Sequence, residues 1–328
     1  MSNNLISKGP ALNPAWFRVD KPDRFHYLKS KMFRNIRIPP SFSFIKRGRV
    51  FILLKEEYKD VLLKQGIDDL KTFLKKSSQF SYYLKGRTLH PSIPLEDGKR
   101  MVLRQYSHGG LLRAFTGNLY FFGARSFREL ALTEEIRSCG IPTISPIGAI
   151  HHRIFPPFYQ AYFLSLEVPN AIDLIQYFQE MGARLTRENL STKRKTLRSA
   201  GLLIRQFHQA GFFHGDLQLK NILIAGGQVL LIDFDRSYRK KNLSLKEKMR
   251  NLLRLNRSAE KWIQQGLSLT RTDRWRFFLA YAGEDRKIRE AMIKTLQTYS
   301  LRFLFHRLGW AIEKIVGSSV FGVRRNQV

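Results

Sequence analysis

The residues best suited to chemistry lie in one stretch, His214-Gly215-Asp216-Leu217-Gln218-Leu219-Lys220-Asn221, followed by Ile232-Asp233-Phe234-Asp235. Phosphoryl transfer needs a carboxylate that orients an attacking hydroxyl or accepts its proton. It also needs oxygen ligands that hold magnesium against nucleotide phosphates. An Asp on a loop, an Asn five residues later and an Asp beyond a tight hairpin make up such a set. Asp216 is the candidate base. Asn221 and Asp233 are the candidate metal ligands. Lys220 can bring a cation to the transferred group, and His214 opens the loop among the candidate catalytic residues.

The flanking elements give the stretch its specificity. Leu190 to Gln209 carries Leu197, Ala200, Ile204 and Phe207 on one helical stripe and ends at Gly211. Asn221–Ile224 and Val229–Ile232 flank Gly226-Gly227, a hairpin signal. Helix, His-x-Asp loop and hairpin ending in apolar-Asp-Phe match the catalytic and metal loops of kinases. A nucleotide also needs a cation on its phosphates, locked by a helical glutamate. Arg104, on the strand Met101–Tyr106, and Glu129, near the start of the helix Ser126–Cys139, are the candidates. Arginine is always charged and can bind phosphate bidentately. Glu134 and Glu135 share the helix with Glu129. Gly86, in Lys85-Gly86-Arg87, is the candidate phosphate-covering loop. Glu167, at the exit of the strand Ala161–Glu167, is the candidate hinge contact. Asp173 reads as a helix N-cap.

Further forward, Phe42–Ile45 and Val50–Leu54 read as a hairpin, and Gly66 splits two short helices between Glu56 and Lys76. Ser81–Leu84 and Met101–Tyr106 read as two antiparallel strands joined by a short loop. Residues 243–328 read as mostly amphipathic helix. The expected fold is α+β: a two-lobed, protein-kinase-like molecule with a β-rich N-lobe and a mostly helical C-lobe. The expected divisions are an accessory unit at 1–77, the N-lobe at 78–168, and the C-lobe with basic C-terminal helices at 169–328.

Composition narrows the partners. The 328 residues include 57 Lys plus Arg against 26 Asp plus Glu, a net charge of +31. Such a chain is drawn to phosphate-rich ligands or anionic membranes. Hydrophobic residues at 43% exclude wholesale disorder. The single cysteine, Cys139, excludes an internal disulfide and a multi-cysteine metal site. No apolar run is long enough to span a bilayer, so the chain reads as soluble or peripheral. Leu301–Val323 mixes aromatics with Arg and Lys. It reads as a helix packed on the large lobe, with an interfacial helix as the alternative.

Several motifs together resemble those of 3-deoxy-D-manno-octulosonic acid (Kdo) kinases. They are Met101-Val102-Leu103-Arg104-Gln105-Tyr106 with Gly109-Gly110-Leu111, Arg125-Ser126-Phe127-Arg128-Glu129, Ile141-Pro142-Thr143-Ile144-Ser145-Pro146, Asp233-Phe234-Asp235-Arg236, and Asn251-Leu252-Leu253-Arg254-Leu255-Asn256-Arg257-Ser258 with Lys261. The resemblance covers roughly residues 80–285. It implies a protein-kinase-like fold using ATP and Mg2+. The acceptor it implies is the Kdo sugar of a lipopolysaccharide precursor glycolipid, at the cytoplasmic face of the inner membrane. An anionic membrane surface is then a partner, and nucleic acid is not expected. Arg104 becomes a family trait. Ser107-His108 and Gln218-Leu219-Lys220 depart from the family pattern, which leaves the sugar open.

Other readings stand beside this one. Heptose or another small alcohol would serve the same catalytic loop, although a cationic acceptor would want an acidic cleft. A protein kinase lacks support, because no Ala-Pro-Glu segment follows Asp233. A non-catalytic basic binder on a kinase scaffold has no need of Asp216, Asn221 and Asp233 together.

Overall fold

The computed structural model describes residues 36–85, 89–107, 117–182 and 186–295. Its N-terminal half is built on strands that are apolar without alternation. Phe51 to Leu54 are all buried, and so are Ala161 to Ser165. A strand of that kind must be covered on both faces.

The elements in order are β1 (Phe42–Arg47), β2 (Val50–Lys55), α1 (Glu56–Lys64), α2 (Leu70–Ser77), β3 (Tyr82–Lys85), β4 (Leu89–Pro94), β5 (Arg100–Gln105), β6 (Tyr120–Phe121), α3 (Arg125–Ser138), β7 (Pro146–Phe155) and β8 (Phe158–Leu166). The strands form one antiparallel sheet in the order β1-β2-β7-β8-β5-β4-β3, with β6 also on β8. Helix α3 lays Phe127 and Leu130 on one face, against Leu53, Ala149 and Phe163. Helices α1 and α2 lay Tyr58, Leu62, Leu70 and Phe73 on the other, against Ile52, Leu103 and Ile150. Both faces are therefore dry, as the unbroken apolar runs require.

Three expectations change. β4 is a strand where a short loop was expected, since Pro91 and Pro94 masked an apolar pair, Ile93 and Leu95. β7 is a central strand that the sequence pattern missed, because Gly148 and the His151-His152 pair interrupt its apolar run. The front hairpin joins the same sheet, because β2 pairs with β7 from Val50–His152 to Leu54–Gly148. The sheet is thus continuous across residue 77. Gly66, at φ +84°, does separate α1 from α2.

Beyond β8 the chain enters a helical half: β9 (Ile172–Asp173), α4 (Leu174–Gly182), α5 (Arg187–Gln209), β10 (Phe212–Phe213), β11 (Ile222–Ala225), β12 (Gln228–Leu231), β13 (Tyr238–Arg239), α6 (Leu245–Ile263) and α7 (Arg271–Ala282). A further helical segment covers 286–295. Asp173 accepts the backbone N–H groups of Ile175 and Gln176, as an N-cap should. Ser244 and Glu247 close a capping box on α6. Leu197, Ile204 and Phe207 of α5 pack with Leu252 and Leu255 of α6 and Phe278 and Tyr281 of α7 in a separate core. The molecule is a two-lobed α+β structure. Gly86 and the segment Leu301–Val323 lie outside the described residues.

Candidate active site

The loop 214–221 is held from beneath by neutral hydrogen bonds. His214 is fully buried. Its Nε2 donates to the Ile232 carbonyl at 3.0 Å, and its Nδ1 accepts the Asp216 N–H at 3.1 Å. Asn251 of α6 accepts the His214 N–H at 3.0 Å and donates to its carbonyl at 2.8 Å. The same amide oxygen accepts Nε2 of buried His208 at 3.0 Å, and the Tyr281 hydroxyl donates to His208 Nδ1 at 2.7 Å. Burial pushes His208 down to about 4 and lowers His214 as well, so both rings are neutral near pH 7. His214 faces the protein interior. Its ring is buried beneath the loop and holds the Asp216 backbone.

Close backbone approach fixes the loop against the segment that follows β12. A Cβ on Gly215 would sit 2.5 Å from the Asp235 carbonyl oxygen, so only glycine fits. Asp233 itself stands at φ +65°. Asn221 donates its Nδ2 to the Asp216 carbonyl at 2.7 Å, which leaves Oδ1 as the atom able to meet a cation.

The Asp216 carboxylate is partly open to solvent. Arg254 of α6 donates from Nε and Nη2 to its Oδ1, at 2.9 and 2.5 Å, and Gln218 donates to Oδ2. Leu219 N–H donates to Ser258 Oγ at 3.3 Å. Asn251, Arg254 and Ser258 stand at i, i+3 and i+7, so one stripe of α6 grips the loop at three points. Sequence reasoning gave these three no role. The available signal was a polar row on the otherwise apolar inner face of an amphipathic helix, with Asn251 and Ser258 buried.

The upper part of the site is ionic. Arg104 on β5 donates to Glu129 Oε1 at 2.5 Å and to Asp233 Oδ1 at 2.8 Å. Tyr106 donates its hydroxyl to the second Glu129 oxygen. Burial pushes the Glu129 carboxyl up to about 7, even with the guanidinium alongside. Burial would raise Asp233 too, but Arg104 outweighs it and holds that carboxyl below the usual carboxylate range. Glu134 is taken up by Arg137 and Glu135 by Arg239, so Glu129 is the acid of α3 that faces the cleft. Arg125 donates to Asp235 Oδ1 at 2.5 Å, a second ionic link between the lobes. Lys220, on the turn Leu219–Asn221, adds positive charge near Asp233.

Glu167 is tied to the sheet instead of being presented to the cleft by its side chain. Its N–H donates to the Arg100 carbonyl at 2.8 Å, and its carboxylate accepts from Tyr82 and Ser92. Among the described residues no group of three or more His, Cys, Asp or Glu is arranged to hold a metal. One carboxylate and one amide oxygen suit magnesium, which keeps waters and takes phosphate oxygens as its other ligands. Asp233 and Asn221 fit that donor set.

The chain is similar to several known proteins. The family model "Lipopolysaccharide kinase (Kdo/WaaP) family" matches residues 71–281. A 3-deoxy-D-manno-octulosonic acid kinase of Pasteurella multocida (strain Pm70) is 30% identical over 200 residues, covering 58% of this chain and 79% of that protein. The namesake from Vibrio cholerae is 35% identical over 165 residues, covering 49% of this chain and 65% of that protein. A solved structure, WaaP in complex with acyl carrier protein, aligns with a TM-score of 0.47 at 15% identity, covering 75% of this chain and 98% of that one. The family match runs from α2 to α7, over more than half of the sequence, and the chain belongs to the lipopolysaccharide kinase (Kdo/WaaP) family.

Proposed function

We propose that the protein uses ATP and Mg2+ to phosphorylate a hydroxyl of Kdo in a lipopolysaccharide inner-core or lipid A precursor. The observation that carries this reading is the convergence of Asp216, Asn221 and Asp233 on a cleft roofed by the Arg104–Glu129 pair. The similarity to Kdo kinases from two genera supports the choice of sugar.

Each side chain has a distinct task. Asp216 orients the acceptor hydroxyl and receives its proton. Arg254 and Gln218 aim that carboxylate. Arg254 also places a cation on the acceptor side, which suits an acidic or phosphorylated sugar. Arg104 is the cation for the nucleotide phosphates, and Glu129 keeps it at the edge of the sheet. Lys220 offsets charge on the transferred group. Asn221 and Asp233 would hold magnesium, which neutralises charge developing on the phosphates. A net charge of +31 suits an anionic glycolipid at the cytoplasmic face of the inner membrane. No helix among the described residues is long and apolar enough to cross a membrane.

Transfer of labelled phosphate from ATP to a Kdo-bearing lipid A precursor, with and without EDTA, tests the reading. Magnesium-dependent label on Kdo supports it. Label on a heptose-bearing acceptor alone keeps the kinase and replaces the sugar. No transfer to either acceptor by a chain that still binds ATP contradicts the proposed acceptor class.

A further inference from the structure

One end of the sheet carries a surface that the catalytic site does not use. Three turns meet there: Arg47–Val50 between β1 and β2, Phe155–Phe158 between β7 and β8, and the chain from Gly117 through β6 to Gly123. The Arg153 N–H donates to the Arg49 carbonyl at 2.9 Å, and Arg49 Nη1 donates to the Ile154 carbonyl at 3.0 Å. Phe122 N–H donates to the Pro157 carbonyl at 3.3 Å. The three turns therefore form one tip.

The tip is aromatic and largely open. Phe121, Phe122 and Phe155 are 61%, 66% and 51% exposed. Their rings run in a chain, Phe122 to Phe121 at 4.4 Å, Phe121 to Phe158 at 5.4 Å, and Phe158 to Phe155 at 4.8 Å. Exposed Pro156 stands beside them. Such a contiguous apolar patch marks an interaction site. Lys46, Arg47 and Arg49 are exposed on the adjoining β1–β2 turn, and Arg153 stacks over the Phe51 ring at 5.3 Å. The segments 44–51, 117–125 and 151–160 contain no Asp or Glu.

We propose that this tip is a membrane-docking surface, with the phenylalanines entering the interface of an anionic bilayer and the cations of the β1–β2 turn meeting its headgroups. Exposed rings on turns that carry cations and no acid match that occupant, because a protein partner of mixed charge calls for both signs at the rim. The placement is also suited to a lipid-borne acceptor. Phe122 precedes Arg125 by three residues, and Arg125 pairs with Asp235, two residues beyond Asp233. This inference rests on the proposed glycolipid acceptor, but its test is independent of catalysis.

The full chain is sedimented with vesicles of phosphatidylglycerol and phosphatidylethanolamine, and with phosphatidylcholine vesicles as control. Two variants are compared, Phe121→Ser/Phe122→Ser/Phe155→Ser and Lys46→Glu/Arg47→Glu, each first checked for ATP binding. The proposal expects binding to anionic vesicles and about tenfold or greater loss in each variant. The charge variant keeps the test informative if the triple variant does not fold. Unchanged vesicle binding in a folded variant overturns the proposal. So does absence of vesicle binding by the parent chain, or a phenylalanine-dependent self-association or protein contact in its place. Failure of phosphate transfer with vesicle binding intact would remove the acceptor assignment and leave the docking surface standing.

Discussion

The floor and the roof of the cleft are held by different physics. The floor, residues 214–221, is fixed from beneath by neutral hydrogen bonds through His214, Asn251, His208 and Tyr281, all buried, with one half-exposed ion pair, Arg254 to Asp216, at its rim. The roof is fixed by ion pairs, Arg104 with Glu129 and Asp233, and Arg125 with Asp235. Buried neutral bonds of this kind lock a geometry, because any partner removed leaves an unsatisfied group behind. Ion pairs in a half-open cleft can be exchanged. An arriving phosphate can take over the guanidinium that now spans to Asp233. On the proposed reading, the base is thus held fixed while the cation for the nucleotide stays free to change partners.

Breaking the roof should therefore cost activity more than stability. Arg104→Gln is expected to lower transfer by about a thousandfold, with a melting temperature near that of the parent protein. Steady-state transfer and a thermal scan on the same preparation check this. Breaking the floor should do the reverse. Asn251→Ala removes three buried bonds and is expected to cost about 3 kcal/mol of stability by urea unfolding. An Asn251→Ala protein as stable as the parent would dissolve the contrast.

Acid should attack the floor as well. His208 titrates near 4 when folded because it is buried, against about 6.5 when unfolded. The unfolded chain then binds the extra proton first. Its contribution is fully present above about pH 6.5 and is lost as pH falls toward 4, by roughly 2–3 kcal/mol. Urea midpoints across that window should show the slope, and His208→Gln should flatten it. The smallest effect belongs to the second ionic link. Arg125→Ala should reduce transfer by about tenfold, chiefly in kcat, because the Asp233 loop loses one anchor to the upper lobe.

The two regions also differed in how far they could be read from sequence. Asp216, Asn221 and Asp233 lie within 18 residues, and a local spacing carries them. Arg104 and Glu129 followed from asking what else a nucleotide needs. The grip on the loop was hidden, since Asn251 and Arg254 meet their partners 37 and 38 residues away in sequence. A polar residue on a helix reveals a partner only when the fold brings one. His214 shows the converse: its type suggested chemistry, and its burial beneath the loop had no signal in the sequence. The front hairpin was legible and its place in the main sheet was not, nor was β7, because sheet membership is settled by non-local pairing, here β2 with β7. The helical half was more legible, since the apolar stripe of α5 and the Gly226-Gly227 turn are local signals.

Asp216, on its preformed floor, is the proposed centre of the chemistry. The most direct measurement follows labelled phosphate from ATP to the Kdo-bearing precursor in the parent protein and in Asp216→Ala, with nucleotide affinity measured in both. The account predicts that transfer in the variant falls by a thousandfold or so while ATP affinity changes by less than about threefold. Transfer at the parent rate by Asp216→Ala, with ATP bound, would contradict it.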